Sequence, residues 1–350
     1  MKNNKKEVTI YDIAQELNVS PTTVSRALKD HFSIGKDTIK VVKKMAKKME
    51  YRPNAMAASL RSNKTQTIGV IISWIDRPFI SSLIRGIEEA ANSAGYNVII
   101  TQSNDLYEKE VANADVLYNN RVGGVIVSLA METKDYSHFY QFINKGIPVV
   151  FVDRVTRKVD CDRVGIDNFS AGFKATEHLI EQGCKRIAHF AGSQTRNIYR
   201  ERKRGYLAAL TRYQLPVDKS LVTYSSLNSE DGRKHMEQLL NLSQPPDGLF
   251  SANDTAAVSA IQYAKEMGIT VPGDLAVVGF NDDPVSTIID PPLTTIAHPA
   301  RDMGKIAAEQ VIKKKEKKDI VASQTIELKT ELLIRSSSLR KKAHNIRIAN

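Results

Sequence analysis

The chain has 350 residues and a formal net charge of +11, with an ordinary balance of apolar and charged residues. It contains no apolar run long enough to span a membrane, and the charged first nine residues have no apolar stretch behind them, so neither a spanning helix nor a secretory signal is expected. Its two cysteines, Cys161 and Cys184, and seven scattered histidines form no disulfide framework and no zinc spacing, which points to the cytoplasm and to no metal or cofactor.

The charge is unevenly placed. Residues 1–64 carry 14 Lys/Arg against 6 Asp/Glu, residues 335–350 carry 5 against none, and residues 65–334 carry 31 against 33. A basic end on a near-neutral body suggests nucleic-acid contact at that end. Residues 335–350 read instead as a solvated basic tail.

Residues 10–17 predict a helix, with Thr9 at the N-cap and Asp12 three residues on. Ile10, Ile13, Ala14 and Leu17 fall on one face. After the break at Asn18-Val19, Ser20-Pro21 starts a second helix, with Pro at the position where its missing N–H costs nothing. Val24, Ala27 and Leu28 give it a buried side; Thr22, Thr23, Ser25 and Arg26 give it a polar one. Short hydroxyls and one guanidinium suit a DNA major groove, where Arg26 can meet a guanine edge through two hydrogen bonds. Two short amphipathic helices also occur in many proteins that never touch DNA. A third helix is predicted over residues 36–49, with Ile39, Val42, Met45 and Ala46 on one face. The break at Tyr51-Arg52-Pro53-Asn54 is followed by small residues and one leucine, 55–61, which read as a short linker helix.

From Thr67 onward short apolar strands alternate with helices, in two runs of similar length. That pattern predicts two α/β lobes with parallel sheets covered on both faces. Open parallel sheets bind ligands beyond the carboxyl ends of their strands. The residues there are Asp153-Arg154, Asp167-Asn168, Gly192-Ser193, Asn253-Asp254 and Asn281-Asp282-Asp283, with Phe79 and Leu227 in two further loops. Carboxylates and amides beside an aromatic ring suit a sugar. Arg196 and Arg202 can grip an anion or bridge to acidic neighbours. Asp167 and Asp254 can equally serve only as helix caps.

The segments VTIYDIA (residues 8–14), VSPTTVSRAL (19–28), YRPN (51–54) and 57–60 closely resemble the DNA-binding headpiece of the LacI/GalR family of bacterial repressors. The resemblance implies an N-terminal all-α helix-turn-helix headpiece on a two-lobed α/β body of the type I periplasmic-binding-protein kind. It implies that residues 55–61 form a hinge helix in the minor groove, with Ala57 at its close contact and Leu60 as the apolar wedge. Phe79, Asp153, Arg202 and Asn253-Asp254 match family ligand positions. One departure stands out: the family's Gly-aromatic-Asp-Asp is here Gly279-Phe280-Asn281-Asp282, so an amide replaces a carboxylate.

The expected plan is residues 1–53 as headpiece, 54–64 as hinge, 65–334 as body and 335–350 as tail. Lobe 1 is expected at 65–160 and 292–323, lobe 2 at 161–291 and 324–334. The expected function is a sequence-specific transcription regulator, most simply a repressor. A homodimer would read a palindromic operator and answer to a small molecule, a sugar or sugar derivative. Thr22 and Arg26, with Pro21 on a thymine methyl, would read bases; Thr9, Tyr11, Ser20, Thr23, Ser25 and Asn54 would hold phosphates. Phe79, Asp153, Asp167, Arg196, Arg202, Leu227, Asn253, Asp254 and Asn281 would face the effector. Residues 335–350 hold one leucine, Leu339, and no heptad, so a dimer rather than a tetramer is expected. Two rival readings stay open, a sugar receptor and a sugar enzyme. Against an enzyme, no Gly-x-Gly-x-x-Gly, Walker loop or Gly-x-Ser-x-Gly elbow is present.

Overall fold

The computed structural model describes residues 8–51, 65–316 and 322–340. The chain divides into two compact units, Met1–Thr65 and Gln66–Asn350.

The first unit holds α1 (Ile10–Glu16), α2 (Pro21–Leu28) and α3 (Lys36–Lys48). The carboxylate of Asp12 accepts hydrogen bonds from both the N–H and the hydroxyl of Thr9, at 2.7 Å each. Ser20 caps α2, its hydroxyl accepting from Thr23 N–H at 3.0 Å, and Pro21 takes the first helical position. Among the described residues Ile13, Ala14, Val24, Ala27, Val42 and Ala46 are the unit's buried apolar core, with partly buried side chains such as Leu17, Leu28 and Ile39 packed around them. So small a core is marginal by itself.

The second unit opens with β1 (Thr67–Ile72), α4 (Pro78–Ser93), β2 (Asn97–Gln102), α5 (Tyr107–Asn119), β3 (Gly124–Val127), α6 (Ser137–Ile143), β4 (Val149–Val152) and β5 (Asp162–Ile166). Then follow α7 (Asn168–Glu181), β6 (Ile187–Phe190), α8 (Asn197–Arg212), β7 (Val222–Thr223), α9 (Ser229–Leu240), β8 (Gly248–Ser251), α10 (Asp254–Glu266) and β9 (Ala276–Asn281). The last elements are α11 (Val285–Ile288), β10 (Thr294–Ala297), α12 (Ala300–Glu316), β11 (Thr325–Leu328) and β12 (Glu331–Leu333). Two six-stranded sheets result, in the orders β11-β5-β4-β3-β1-β2 and β12-β10-β9-β8-β6-β7. Among the described residues only the β10–β12 pairing is antiparallel. The near-continuous burial of β1, β3, β4, β6 and β8 is what two covered faces require. No helix among the described residues is long and apolar enough to cross a membrane.

The allocation of strands to lobes differs from the expectation. β5 pairs with β4 and β11, so residues 162–166 belong to the lobe 1 sheet. β10 pairs with β9, so residues 294–297 belong to lobe 2. The expected single strand over 324–333 is two, β11 in lobe 1 and β12 in lobe 2. The chain therefore passes between lobes three times: before α7, before α12 and between β11 and β12. Nor are residues 335–340 tail. Ser337 and Ser338 are fully buried, and Arg340 donates to the carbonyls of Pro272, Asp247 and Asp274. Residues 341–350 and the hinge positions Asn54, Ala57 and Leu60 lie outside the described residues.

Both lobes pack their first helix against a partner by the same means. A Cβ on Gly86 of α4 would stand 1.9 Å from the Arg301 carbonyl oxygen, and one on Gly304 of α12 would stand 2.1 Å from that of Leu83. In lobe 2, a Cβ on Gly172 of α7 would meet the Arg202 carbonyl at 2.3 Å, and one on Gly205 of α8 the Phe169 carbonyl at 2.2 Å. Backbone meets backbone at these crossings, and a methyl group has no room.

Asp254, at the start of α10, is fully buried beneath β9. Its carboxylate accepts from Thr295 Oγ1 at 2.7 Å and from Asp283 N–H at 2.8 Å. Burial, and then the nearby Asp283 carboxylate, push its pKa up from 3.8 to about 7. The native state thus keeps a proton that the unfolded chain has lost. Its contribution to stability is complete below about pH 4 and is lost as the pH rises through about 7. Asp283, raised to about 6 chiefly by burial, acts in the same direction.

Two stability measurements follow from this packing. Gly86→Ala should destabilise the body by at least the ~1–3 kcal/mol typical of overpacking, because the obstructing atom is backbone; an unchanged urea midpoint would contradict the crossing described. Urea denaturation at pH 5 and pH 8 should show wild type losing stability with pH and Asp254→Asn losing less; equal losses would show that Asp254 titrates normally.

Candidate functional site

In the first unit the capping of α2 decides what its polar face presents. Ser20 and Thr23 hydroxyls lie 2.9 Å apart and engage each other at the helix start. Thr22 and Arg26, one turn apart, are exposed on the same side, and Val24 and Ala27 anchor the opposite side. Pro21, Thr23 and Ser25 are half-buried, while Thr9, Ser20 and Tyr11 are exposed, Tyr11 at 62%. The helix therefore offers one guanidinium and one free threonine at its most exposed edge.

In the second unit, the carboxyl ends of both sheets border one cavity of about 510 Å³. In each sheet the strand order reverses at β1 or β6, which is where loops diverge and leave a crevice. Of the nine positions expected to face a ligand, Phe79, Asp153, Arg202, Asn253 and Asn281 line this cavity.

Arg202 projects from α8, whose closeness to α7 is set by the two glycines. Only 2% exposed, it donates from Nε to Asn168 Oδ1 and from Nη1 to the Ala252 carbonyl, both at 2.8 Å. Its guanidinium lies 3.5 Å from the centre of the Phe280 ring. Burial, only partly offset by Tyr199, Asp153 and Asp254, brings its pKa down to about 10. Asp153 follows β4 with a left-handed backbone, φ 60°, and is 7% exposed. Its carboxylate accepts no hydrogen bond from any described residue, and burial raises its pKa against the pull of Arg154 and Arg202. The site thus holds a buried cation without a carboxylate contact and a buried carboxylate without a donor. Asn253 caps α10 through Ala256 N–H and donates to the Leu227 carbonyl at 2.8 Å. Asn281 ends β9 at φ 116°.

The other four expected residues stand elsewhere. Asp167 caps α7, accepting from Ser170 N–H and Oγ. Asp254 lies beneath the cavity in the cluster described above. Leu227 is buried, and only its carbonyl serves the site, by holding Asn253. Arg196 faces the other lobe: its guanidinium donates to the carbonyls of Met131 and Thr133. That loop is itself held by buried Glu110, which accepts from Ala130 N–H and Thr133 Oγ1. Arg196 thus ties lobe 2 to lobe 1 and is fully engaged in doing so.

The cavity also includes residues that strand-end reasoning passed over: Trp74, Asn104, Asp105, Tyr199, Asn228 and His298. Asp105 is saturated. It pairs with Arg154 and accepts from Trp74 Nε1 and Met131 N–H, both at 3.2 Å. Trp74 and Asp105 stand two and three residues past their strands, so the same rule with a longer reach finds them. His298 follows β10, a strand the sequence did not signal. Among the described residues no cluster of His, Cys, Asp and Glu could hold a metal ion.

Comparison with known proteins agrees with both units. Residues 9–54 match the sequence profile of bacterial regulatory proteins of the lacI family, and residues 176–338 that of the periplasmic binding protein-like domain. The chain is 33% identical over 332 residues to catabolite control protein A of Priestia megaterium, covering 95% of this chain and 99% of that one. It is also 33% identical over 340 residues to the HTH-type transcriptional repressor CytR of Escherichia coli K12, covering 97% and 99%. The lac repressor dimer bound to operator and the anti-inducer ONPF superposes with a TM-score of 0.84 at 25% identity, over 96% of this chain and 100% of that one. A complex of the transcriptional regulator CelR with cellobiose superposes at 0.72 with 27% identity, over 95% and 100%. The chain belongs to the lacI family of bacterial regulatory proteins: it is a helix-turn-helix transcription regulator with a small-molecule-binding body.

Proposed function

We propose that this regulator acts as a repressor in the cytoplasm, as a homodimer on a palindromic operator, and is no enzyme. The observation that carries the reading is the exposed pair Thr22 and Arg26 on a helix capped and anchored from its other side. Arg26 reads a guanine and Thr22 a neighbouring base, with Pro21 against a thymine methyl. Thr9, Tyr11, Ser20, Thr23 and Ser25, with Asn54, hold phosphates and set the register. Ala57 and Leu60 pack in the minor groove as a hinge, residues 54–64 forming that segment between headpiece and body. Exposed Ile100 on the edge strand β2, with Leu106 and Val116 nearby in sequence on and before α5, supports a second copy on lobe 1.

The effector is a sugar or sugar derivative held between the lobes by Phe79, Asp153, Arg202, Asn253 and Asn281. It acts by changing the lobe angle, and with it the spacing of the two DNA-binding ends. Coupling of this type is worth ~1–3 kcal/mol between sites. Whether the effector releases or tightens DNA binding depends on the lobe angle each one favours.

Selection from a random duplex pool by the full-length protein should enrich a palindrome. On that palindrome Arg26→Ala should cost about 1–3 kcal/mol and relax one base position per half-site. An equal loss on random DNA would show that Arg26 holds phosphate only.

A further inference from the structure

The turn that follows α2 is tightly made. The N–H groups of Lys29 and His31 both donate to the Arg26 carbonyl, at 3.1 and 3.0 Å, so the turn folds back on the end of the helix that carries Thr22 and Arg26. Asp30 takes a left-handed backbone, φ 50°, and its two carboxylate oxygens accept from Lys43 Nζ of α3 at 2.6 and 2.7 Å. Ser33 N–H donates to His31 Nδ1 at 3.2 Å, and Ile34 N–H to the His31 carbonyl at 3.0 Å.

Phe32 stands at the tip of this turn. It is 94% exposed, more than any other large apolar side chain among the described residues. Its ring stacks on that of His31, 4.4 Å centre to centre and 26° from parallel. A single apolar side chain on a loose surface needs no explanation. This one is held out by a turn that its own backbone and Lys43 fix in place, so its ring is presented and ready for burial. The surroundings are basic. Lys29, Lys36 and Lys40 stand exposed on either side along the chain, against Asp37 alone once Lys43 has taken Asp30. A second copy of this basic unit would be repelled there; a polyanion would be drawn in.

DNA is the polyanion that the preceding helix is read as meeting. At 1.5 Å per residue, Thr22 to Arg26 covers ~6 Å of helix, or about two base steps of ~3.4 Å. The turn begins where that span ends. In the major groove the apolar group on offer is the thymine methyl.

We propose that Phe32 is a specificity-determining residue of the DNA-binding face, packing its ring on the methyl group of a thymine that flanks the bases met by Thr22 and Arg26. His31 is the positioning residue, its ring backing that of Phe32 and itself held by Ser33. The contact needs no hydrogen bond, and adenine, guanine and cytosine offer no such methyl. The inference rests on the reading of α2 as the helix that meets the operator. It goes beyond that reading by carrying base recognition past the helix and by naming the group recognised.

The test uses the full-length protein and the palindrome it selects from a random duplex pool. Each thymine of a half-site is replaced in turn by deoxyuridine, which pairs with adenine in the same way and lacks only the methyl. At one thymine, outside the positions relaxed by Thr22→Ala and Arg26→Ala, wild type should lose about 3- to 10-fold, the worth of burying one methyl group. Phe32→Ala should bind the thymine and deoxyuridine duplexes equally, and about as weakly as wild type binds the second. Phe32→Leu, still apolar, should keep much of the thymine preference. Affinity for random duplex should be the same in all three proteins. Undiminished operator binding by Phe32→Ala, an equal loss on random duplex, or a loss that no single deoxyuridine reproduces would each overturn the proposal; the last is what contact between two copies of the headpiece would give. Arg26→Ala on the same duplexes reports separately on the reading beneath. If its base position relaxes while Phe32→Ala changes nothing, Phe32 is removed and the helix stands; if no palindrome is enriched, both fall.

Discussion

The body depends on helices that approach until backbone touches backbone. At the crossing of α7 and α8 the glycines Gly172 and Gly205 face carbonyl oxygens of the partner helix, and α4 meets α12 through Gly86 and Gly304 in the same way. Side chains between these helices would set a wider spacing and would let one helix slide on the other. Direct contact removes that freedom. In lobe 2 the constraint has a consequence at the cavity, because Arg202 stands on the very turn of α8 that Gly172 admits. Its guanidinium then reaches Asn168 at the head of α7 and the Ala252 carbonyl past β8. A cation this buried is tolerable because two neutral acceptors and the Phe280 ring surround it.

The cavity inherits its polarity from the sheets. Each parallel strand releases its chain at the carboxyl end, and both sheets turn those ends toward one space. What arrives there divides into two groups. Asp105, Arg154 and Trp74 are spent on one another and on backbone, and they give the walls their shape. Asp153 has unused hydrogen-bonding capacity, and Arg202 retains part of its own. A rigid wall with a few unsatisfied groups is the arrangement that discriminates among hydroxylated molecules, since a ligand lacking the matching atom strands a buried partner. Arg196 adds a different element. By holding two carbonyls of the opposite lobe it ties the lobes together at the rim, so the angle between them is not left to the ligand alone.

Much of this was legible before any coordinates. The caps at Thr9-Asp12 and Ser20-Pro21 are local chemistry, satisfied within four residues, and they place α1 and α2 directly. The alternation of strands and helices is likewise local, and it identifies two parallel sheets. Strand ends then point to Asp153, Asn253 and Asn281 in the cavity. Where the reading went astray, the deciding partner was far along the chain. Arg196 was expected to grip a ligand and instead binds carbonyls more than sixty residues earlier. Asp254 was expected at the ligand and instead accepts from Thr295 beneath β9. Asp167 had a cap role in view from the start, and that is the role it plays.

The sequence by itself determined the kinds of element and the family, because helix capping, hydrophobic period and a contiguous motif are all short-range properties. Only the tertiary structure decided which lobe owns β5, β10 and β11, that residues 335–340 are built into lobe 2, and that His298 faces Asp153. Those outcomes turn on pairings between strands that are far apart along the chain, and nothing within a short window distinguishes a strand of one sheet from a strand of the other. The same distance hides His298: its neighbours on the chain say only that a loop is near, and its isolation from hydrogen-bond partners exists only once both lobes have closed around it.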